Sequence, residues 1–315
     1  MNARPIAVLG ENLVDLLVAH DGSVNAVIGG GPLNVARSAA RLGAHVHFVS
    51  GVSGDAFGVL VRDALRESGV TLALEEPLDE PTTLAVVELD PAGPRYHFHL
   101  NGTAAFALDA GATSTALARV DHWAAMYFGT LGLLVEPMAS LGEAIIMGAP
   151  GETLVVIDPN CRPSAVSDAD AYRARVARLC ARADVVKVSS EDLGYLFPAL
   201  TPGEGVAAIL ARGAQCVILT DGAAPVRATT TELQVSVEVA ATTVVDTVGA
   251  GDALVGGFLT WWTGHDLRRD ALNDGATLSE ALAAATDIAR LTCERAGAEP
   301  PWRDDVTSLG NWRWL

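Results

Sequence analysis

Chemistry gathers most densely in Asp246-Thr247-Val248-Gly249-Ala250-Gly251-Asp252-Ala253-Leu254-Val255-Gly256-Gly257-Phe258. An apolar extended segment at 242–245 leads into Gly249-Ala250-Gly251-Asp252, and a helix-like run follows. Glycines at the mouth of a helix let successive backbone N–H groups converge on one point, where the helix dipole adds positive potential. That makes an anion hole without a lysine. Asp252, in the first helical turn, stands beside a phosphate bound there and is placed to orient and deprotonate an attacking hydroxyl. Phosphoryl transfer through a loose transition state asks for positioning and charge stabilisation more than for a strong base, so an ordinary aspartate suffices. The alternative is structural: Asp252 favours the helix N-terminus, and the glycines only make a tight turn.

Two other nucleotide motifs fail. A dinucleotide fingerprint should follow the first strand, which here ends in Gly10-Glu11-Asn12, and no GK[ST] of a P-loop exists. Lys187 is the only lysine, so chemistry that needs one must use it or go without.

The elements that must carry these residues read as alternating strands and helices. Near-continuous apolar runs at Ile6–Leu9, Val46–Val49, 124–128, 154–157, 185–188 and 216–219 suit strands buried on both faces. Amphipathic segments at 33–42, Ala56–Glu67, 137–147, 170–182 and 206–212 separate them, and two helices near 251–263 and 279–294 close the chain. This order predicts a three-layer α/β/α fold with a mostly parallel central sheet. Asp158-Pro159-Asn160-Cys161-Arg162 then lies at the carboxyl edge of that sheet, where open α/β proteins bind ligands. Leu13–Val18 with 26–28, and 83–89 with 96–100 around Asp90-Pro91-Ala92-Gly93-Pro94, read as two hairpins. Paired, they form a small second sheet over about 12–30 and 82–101, inserted in a single domain of residues 1–315. It suits a lid or a dimer interface.

Composition bounds the rest. The 315 residues are half apolar and 19% charged, enough for a large core. A net charge of −17, from 21 basic and 38 acidic residues, argues against tracking a nucleic-acid backbone. Cysteines at 161, 180, 216 and 293 form no CxxC pair, which fits a reducing compartment and no zinc site. The apolar N-terminal stretch carries Glu11 and Asp15, with no cleavage-site pattern, and no run reaches membrane-span length. The expectation is a cytoplasmic protein with no membrane association. The tail with Trp302, Trp312 and Trp314 is expected to pack back on the surface.

The segment 246–258 resembles the C-terminal signature of the ribokinase-like (PfkB) carbohydrate kinases. Gly29-Gly30-Gly31-Pro32-Leu33-Asn34-Val35-Ala36 with Arg41-Leu42-Gly43, followed by Gly51-Val52-Ser53-Gly54-Asp55-Ala56-Phe57-Gly58, resembles the N-terminal one. The likeness spans about residues 5 to 300. It implies an ATP-dependent sugar kinase in which Asp252 is the base and the amides of Gly249, Ala250 and Gly251 hold the phosphoryl oxygens.

Sugar hydroxyls would be contacted by Asp15, Gly30, Gly31 and Asn34. Unaided, Asp15 also reads as a hairpin-edge charge and Asn34 as a helix cap. Asp158-Pro159-Asn160-Cys161-Arg162 resembles the DPNxR element of fructokinases and 2-keto-3-deoxygluconate kinases. Asn160 then joins the substrate set, and Arg162 clamps a phosphoryl or an anionic substrate, unless it is an exposed loop arginine. Lys187-Val188-Ser189-Ser190-Glu191-Asp192 sits where the family has NxxE, linked to magnesium and phosphate. Here Ser189 replaces Asn and Asp192 replaces Glu, with Lys187 near the nucleotide. Thr220-Asp221-Gly222 matches a TxG turn near the ATP phosphates, with Pro225 where a glycine is usual. Thr286 stands at the adenine pocket where an asparagine is usual, and Gly297-Ala298 keeps the family ending. Asp246 is either structural or part of a potassium site. The resemblance also implies Mg2+ with ATP and a homodimer through the lid.

Thr82-Thr83-Leu84-Ala85, Asn101-Gly102-Thr103-Ala104 and Phe128-Gly129-Thr130-Leu131 look most like fructokinases. Phe98 is either a ring stacked on the sugar or a core residue of the small sheet. A keto acid needs a cation for its carboxylate, and the arginine often found before the NGTA-like segment is Leu100 here, with His97 and His99 nearby. Fructokinase leads, with 2-keto-3-deoxygluconate or nucleoside kinase and a non-catalytic sugar or nucleotide sensor as alternatives.

Overall fold

The computed structural model describes residues 4–88 and 95–307; Asp90-Pro91-Ala92-Gly93-Pro94, Trp312 and Trp314 lie outside the described residues. In chain order the first half holds β1 (Ile6–Leu9), β2 (Leu13–Val18), β3 (Val24–Gly29), α1 (Gly31–Arg41), β4 (Val46–Val49), α2 (Ala56–Glu67), β5 (Thr71–Leu72), β6 (Leu84–Glu88), β7 (Arg95–His99), α3 (Ala110–Leu117), β8 (Ala125–Gly129) and α4 (Met138–Met147). The second half holds β9 (Leu154–Asp158), α5 (Ala169–Cys180), β10 (Val185–Ser189), α6 (Ser190–Leu196), α7 (Pro202–Leu210), β11 (Cys216–Thr220), β12 (Val226–Thr230), β13 (Gln234–Val237), α8 (Ala250–Gly264), α9 (Gly275–Cys293) and α10 (Arg303–Thr307).

Nine strands form one sheet in the order β13-β12-β11-β10-β9-β8-β1-β4-β5. From β11 to β5 every pair is parallel, while β12 and β13 add an antiparallel edge. Parallel pairing suits strands that bury both faces. Ile6 and Val8 of β1 enter one core, and Ala7 and Leu9 the other; Leu154 and Val156 against Val155 and Ile157 divide β9 the same way. Helices α1, α2, α8 and α9 cover the first face and α4 to α7 the second. The result is a three-layer α/β/α arrangement.

The small sheet runs β3-β2-β6-β7. It is two antiparallel hairpins joined through a parallel β2–β6 ladder. Side-chain alternation puts Leu13, Asp15, Ala85, Val87, Tyr96 and Phe98 on one face, and Val14, Leu16, Val18, Leu84 and Val86 on the other.

Two features aim this scaffold at a single place. β1 lies between β4 and β8, so the chain departs to both sides of it and leaves a crevice at the strands' carboxyl ends. Helix α8 is preceded by its N-cap Gly249, which is left-handed (φ 76°). A Cβ at Gly256 would stand 2.5 Å from Cβ of Ser38 in α1, and one at Gly257 2.9 Å from Cγ1 of Ile288 in α9. These two glycines let α1 and α9 close on α8, which fixes the direction of its N-terminus. The segment at 242–245 forms no strand; Val244 and Val245 are exposed, and the Val245 amide donates to the Cys293 carbonyl, 2.8 Å.

Candidate active site

A cleft of about 630 Å³ opens at the carboxyl ends of β1, β8, β9, β10 and β11. Leu13, Asp15, Tyr96 and Phe98 of the small sheet line it opposite Gly249, Gly251 and Asp252. Each contributing strand hands over a side chain at the first residue or two past its end or at its last one: Glu11, Thr130, Asn160, Ser189 and Thr220.

Asp252 is 7% exposed, and Asn34 Nδ2 donates to its Oδ2 at 2.9 Å. Burial raises its pKa; the Asn34 hydrogen bond and the charges of Lys187 and Arg162 work against the rise. Its other oxygen points toward Gly31. A Cβ there would lie 3.3 Å from Asp252 Oδ1, 3.3 Å from Asn160 Nδ2 and 2.5 Å from Thr130 Oγ1. Only the absence of a side chain at Gly31 keeps this meeting point open. Beside it, the amides at the first turn of α8 have no acceptor within the helix. Gly249 must be glycine for two reasons: its positive φ, and Ala298, whose Cβ is 2.5 Å from where its own would be.

Lys187 is the ammonium of the cleft. Its Nζ pairs with Asp158 Oδ2 at 3.1 Å and stands 3.0 Å from the Cβ position of Gly251. Burial acts against its charge, but Asp158, Asp192 and Asp252 outweigh it and raise its pKa. Asp158, fully buried, is pushed up to about 6 by desolvation despite Lys187. Arg162 Nη1 donates to Oδ1 of Asn160 at 2.7 Å and to the carbonyls of Asn160 and Cys161, both at 3.1 Å. That anchoring leaves the rest of the guanidinium for the cleft. Burial pushes Asp15 up to about 6, against the pull of Arg162.

Four of the remaining sequence candidates stand elsewhere. Gly222 is a left-handed turn residue (φ 54°) between β11 and β12, outside the cleft lining. Thr286 is buried in α9, and its hydroxyl donates to the Leu282 carbonyl at 2.8 Å. Asp192 is a helix cap: Oδ1 accepts from the Cys161 amide at 2.6 Å, and Oδ2 from the Ser189 amide and hydroxyl, each 2.8 Å. Asp246 accepts from the amides of Val248 (3.0 Å) and Gly297 (2.9 Å). Each of these carboxylate oxygens thus accepts at least one hydrogen bond from within the chain. Among the described residues no group of three or more His, Cys, Asp or Glu is arranged to hold a metal. Ala250 is the first residue of α8, and its amide donates to the Thr247 carbonyl at 3.3 Å.

Glu11, Tyr96, Thr130 and Glu191 also line the cleft, residues to which sequence reasoning assigned no role in the site. The carboxyl-edge rule that finds Asn160, applied to β1 and β8, would have found Glu11 and Thr130.

The sequence profile described as pfkB family carbohydrate kinase matches residues 6–305. This chain belongs to the pfkB family of carbohydrate kinases. Among its pfkB relatives, the fructokinase of Rhizobium leguminosarum bv. trifolii is 32% identical over 256 residues, 79% of this chain and 77% of that protein. The structure of Xylella fastidiosa fructokinase with bound ATP superposes with a TM-score of 0.87 at 26% identity, covering 98% of both chains. The Vibrio cholerae O395 fructokinase, solved with fructose, ADP and calcium ion bound, gives 0.80 at 27% identity over 95% of both. No helix among the described residues is long and apolar enough to cross a membrane.

Proposed function

We propose that this pfkB kinase is a fructokinase that transfers the γ-phosphoryl group of ATP to a primary hydroxyl of D-fructose. The observation that carries the reading is the meeting point over Gly31, where Asp252 Oδ1 lies beside the amide-lined mouth of α8. A sugar hydroxyl held there by Asp15, Gly30, Gly31, Asn34 and Asn160 faces the base on one side and the γ-phosphorus on the other. Its oxygen forms the new P–O bond as the bond to the β–γ bridging oxygen breaks. Asp252 takes the proton, and ADP leaves. The amides of Gly249, Gly251 and Asp252, with Arg162 and Lys187, balance charge on the phosphoryl oxygens, while Ser189 and Thr220 sit toward the remaining phosphates. Phe98 covers the sugar from the small sheet, which acts as a lid that excludes water from the transfer.

A neutral sugar is favoured over a keto acid because Leu100 replaces a cation at the lid margin, leaving Arg162 and Lys187 as the cleft's cations. Four unpaired cysteines accord with a reducing, cytoplasmic setting.

The test is ADP release with Mg-ATP across D-fructose, 2-keto-3-deoxygluconate, ribose and adenosine. Turnover on fructose, reduced by about 10²–10⁴-fold in a folded Asp252→Asn variant, is expected. Preference for another acceptor overturns the fructose assignment; silence on all, with ATP or sugar binding retained, favours the sensor.

A further inference from the structure

We propose that the Thr130 hydroxyl is a specificity-determining contact of the acceptor site, a reading that rests on the sugar-kinase assignment above. Thr130 adopts φ 54°, the left-handed region, as one of three non-glycine residues with positive φ among the described residues. For a β-branched side chain this is an unfavourable conformation, one in which glycine would be the relaxed choice. A threonine kept there needs a reason in what its side chain does.

The surroundings impose the conformation. Gly129, the last residue of β8, pairs with Asp158 of β9, which fixes the chain entering the turn. Two residues past Thr130, the Gly132 amide donates to Oε2 of buried Glu11 at 3.0 Å, which fixes the chain leaving the turn. A Cβ at Gly132 would lie 3.0 Å from the Cα of Gly10, so the turn is seated on the β1–β2 connection. Between these clamps Thr130 is 6% exposed and lines the cleft.

Its hydroxyl is aimed at the meeting point. Asn160 Nδ2 donates to Thr130 Oγ1 at a long 3.4 Å, and the Cβ position of Gly31 is 2.5 Å from that oxygen. Asp252 Oδ1 is 3.3 Å from the same position. Asn160 supplies donors, Asp252 an acceptor, and Thr130 a group that does both. A polyol seated over Gly31 therefore meets a hydroxyl that can pair with a second oxygen on the sugar, next to the one that Asp252 deprotonates. Loss of such a hydrogen bond in a buried site discriminates strongly among substrates, because the unmatched group is left without water.

The experiment separates this role from a structural one by pairing stability with kinetics. Thr130→Gly removes the hydroxyl and the backbone penalty together; Thr130→Ser keeps the hydroxyl. Expected are a Tm for Thr130→Gly no lower than wild type, an unchanged KM for ATP, and at least a tenfold fall in kcat/KM for D-fructose. Thr130→Ser should stay within about threefold of wild type. Assayed on D-fructose and its epimers D-psicose (C3), D-tagatose (C4) and L-sorbose (C5), the glycine variant should lose discrimination at one ring carbon, and the ratio that collapses names the hydroxyl contacted. Wild-type turnover on fructose with Thr130→Gly within twofold overturns this assignment alone. No wild-type turnover on fructose removes the fructokinase reading, and this one with it.

Discussion

Asp252 and Asn34 form the pair on which the pH behaviour depends. A base must be ionised, and burial raises the Asp252 pKa above its ordinary 3.8, so kcat should fall with acidification earlier than an exposed aspartate would make it. Asn34 donates to Oδ2 and stabilises the ionised form. Asn34→Ala should therefore move the acid limb of kcat to higher pH while raising the KM for sugar. A pH–rate profile of both proteins checks this, and an unmoved limb would assign it to another group. At this scale the sequence was most legible where glycine or charge is indispensable: Gly31, Gly249 and Asp252 line one cleft, as the resemblance to the two family signatures implied. It was least legible where one residue type serves two ends. Asp192 lies in a phosphate-linked motif by resemblance, but a Ser-x-x-Asp pattern is also a capping box: its Oδ2 caps α6 while its Oδ1 holds the Cys161 amide. Glu11 looked like a mere interruption of an apolar run. Its burial, which pushes its pKa up to about 8, exists only once the β8 turn closes over it.

Helix α8 shows how an element converts packing into site geometry. Gly256 and Gly257 belong to the same motif as the phosphate-binding turn, yet they face α1 and α9 rather than the cleft. In an isolated helix Gly→Ala adds up to about 1 kcal/mol of stability. At Gly256 the added methyl meets Ser38 Cβ at 2.5 Å and the Ala39 amide nitrogen at 3.1 Å, and backbone cannot move aside cheaply. Gly256→Ala should therefore destabilise by about 1–3 kcal/mol, with the sign set by crowding. Denaturant unfolding measures it, and a raised midpoint would contradict the close approach. The central strands were legible because both faces are buried, so apolar residues run without a break. β12 and β13 escaped that criterion: Arg227, Gln234 and Ser236 alternate with inward residues on an antiparallel edge open to solvent. α3 escaped because Ala110–Leu117 is short and built of small residues with little amphipathic contrast.

For the whole molecule, assembly turns on the small sheet. Its inner face is accounted for by the cleft; the outer face carries Leu16, Val18, Leu84 and Val86 on adjoining strands, with Val24 on β3 57% exposed and Glu88, Arg95, His97 and His99 along its β6–β7 side. Sheets with one apolar face turned outward are covered in the assembled state or liable to aggregate. Covering it with a second copy about a twofold axis needs no other chain, because the same patch serves both sides. We therefore expect a homodimer joined through the outer faces of the two small sheets. The arrangement would also restrain both lids, since β2 and β7 carry Asp15 and Phe98 on the reverse of the joined surface. Val86→Glu puts a charge at the centre of this face without touching the cleft side of β6. Sedimentation velocity at micromolar concentration should show a dimer for wild type and a monomer for Val86→Glu, with the variant's melting curve remaining cooperative. A wild-type monomer, or a variant that stays dimeric, would place the interface elsewhere or remove it. Monomerisation with a raised KM for sugar would tie lid restraint to substrate binding, because nothing at Val86 reaches the substrate directly.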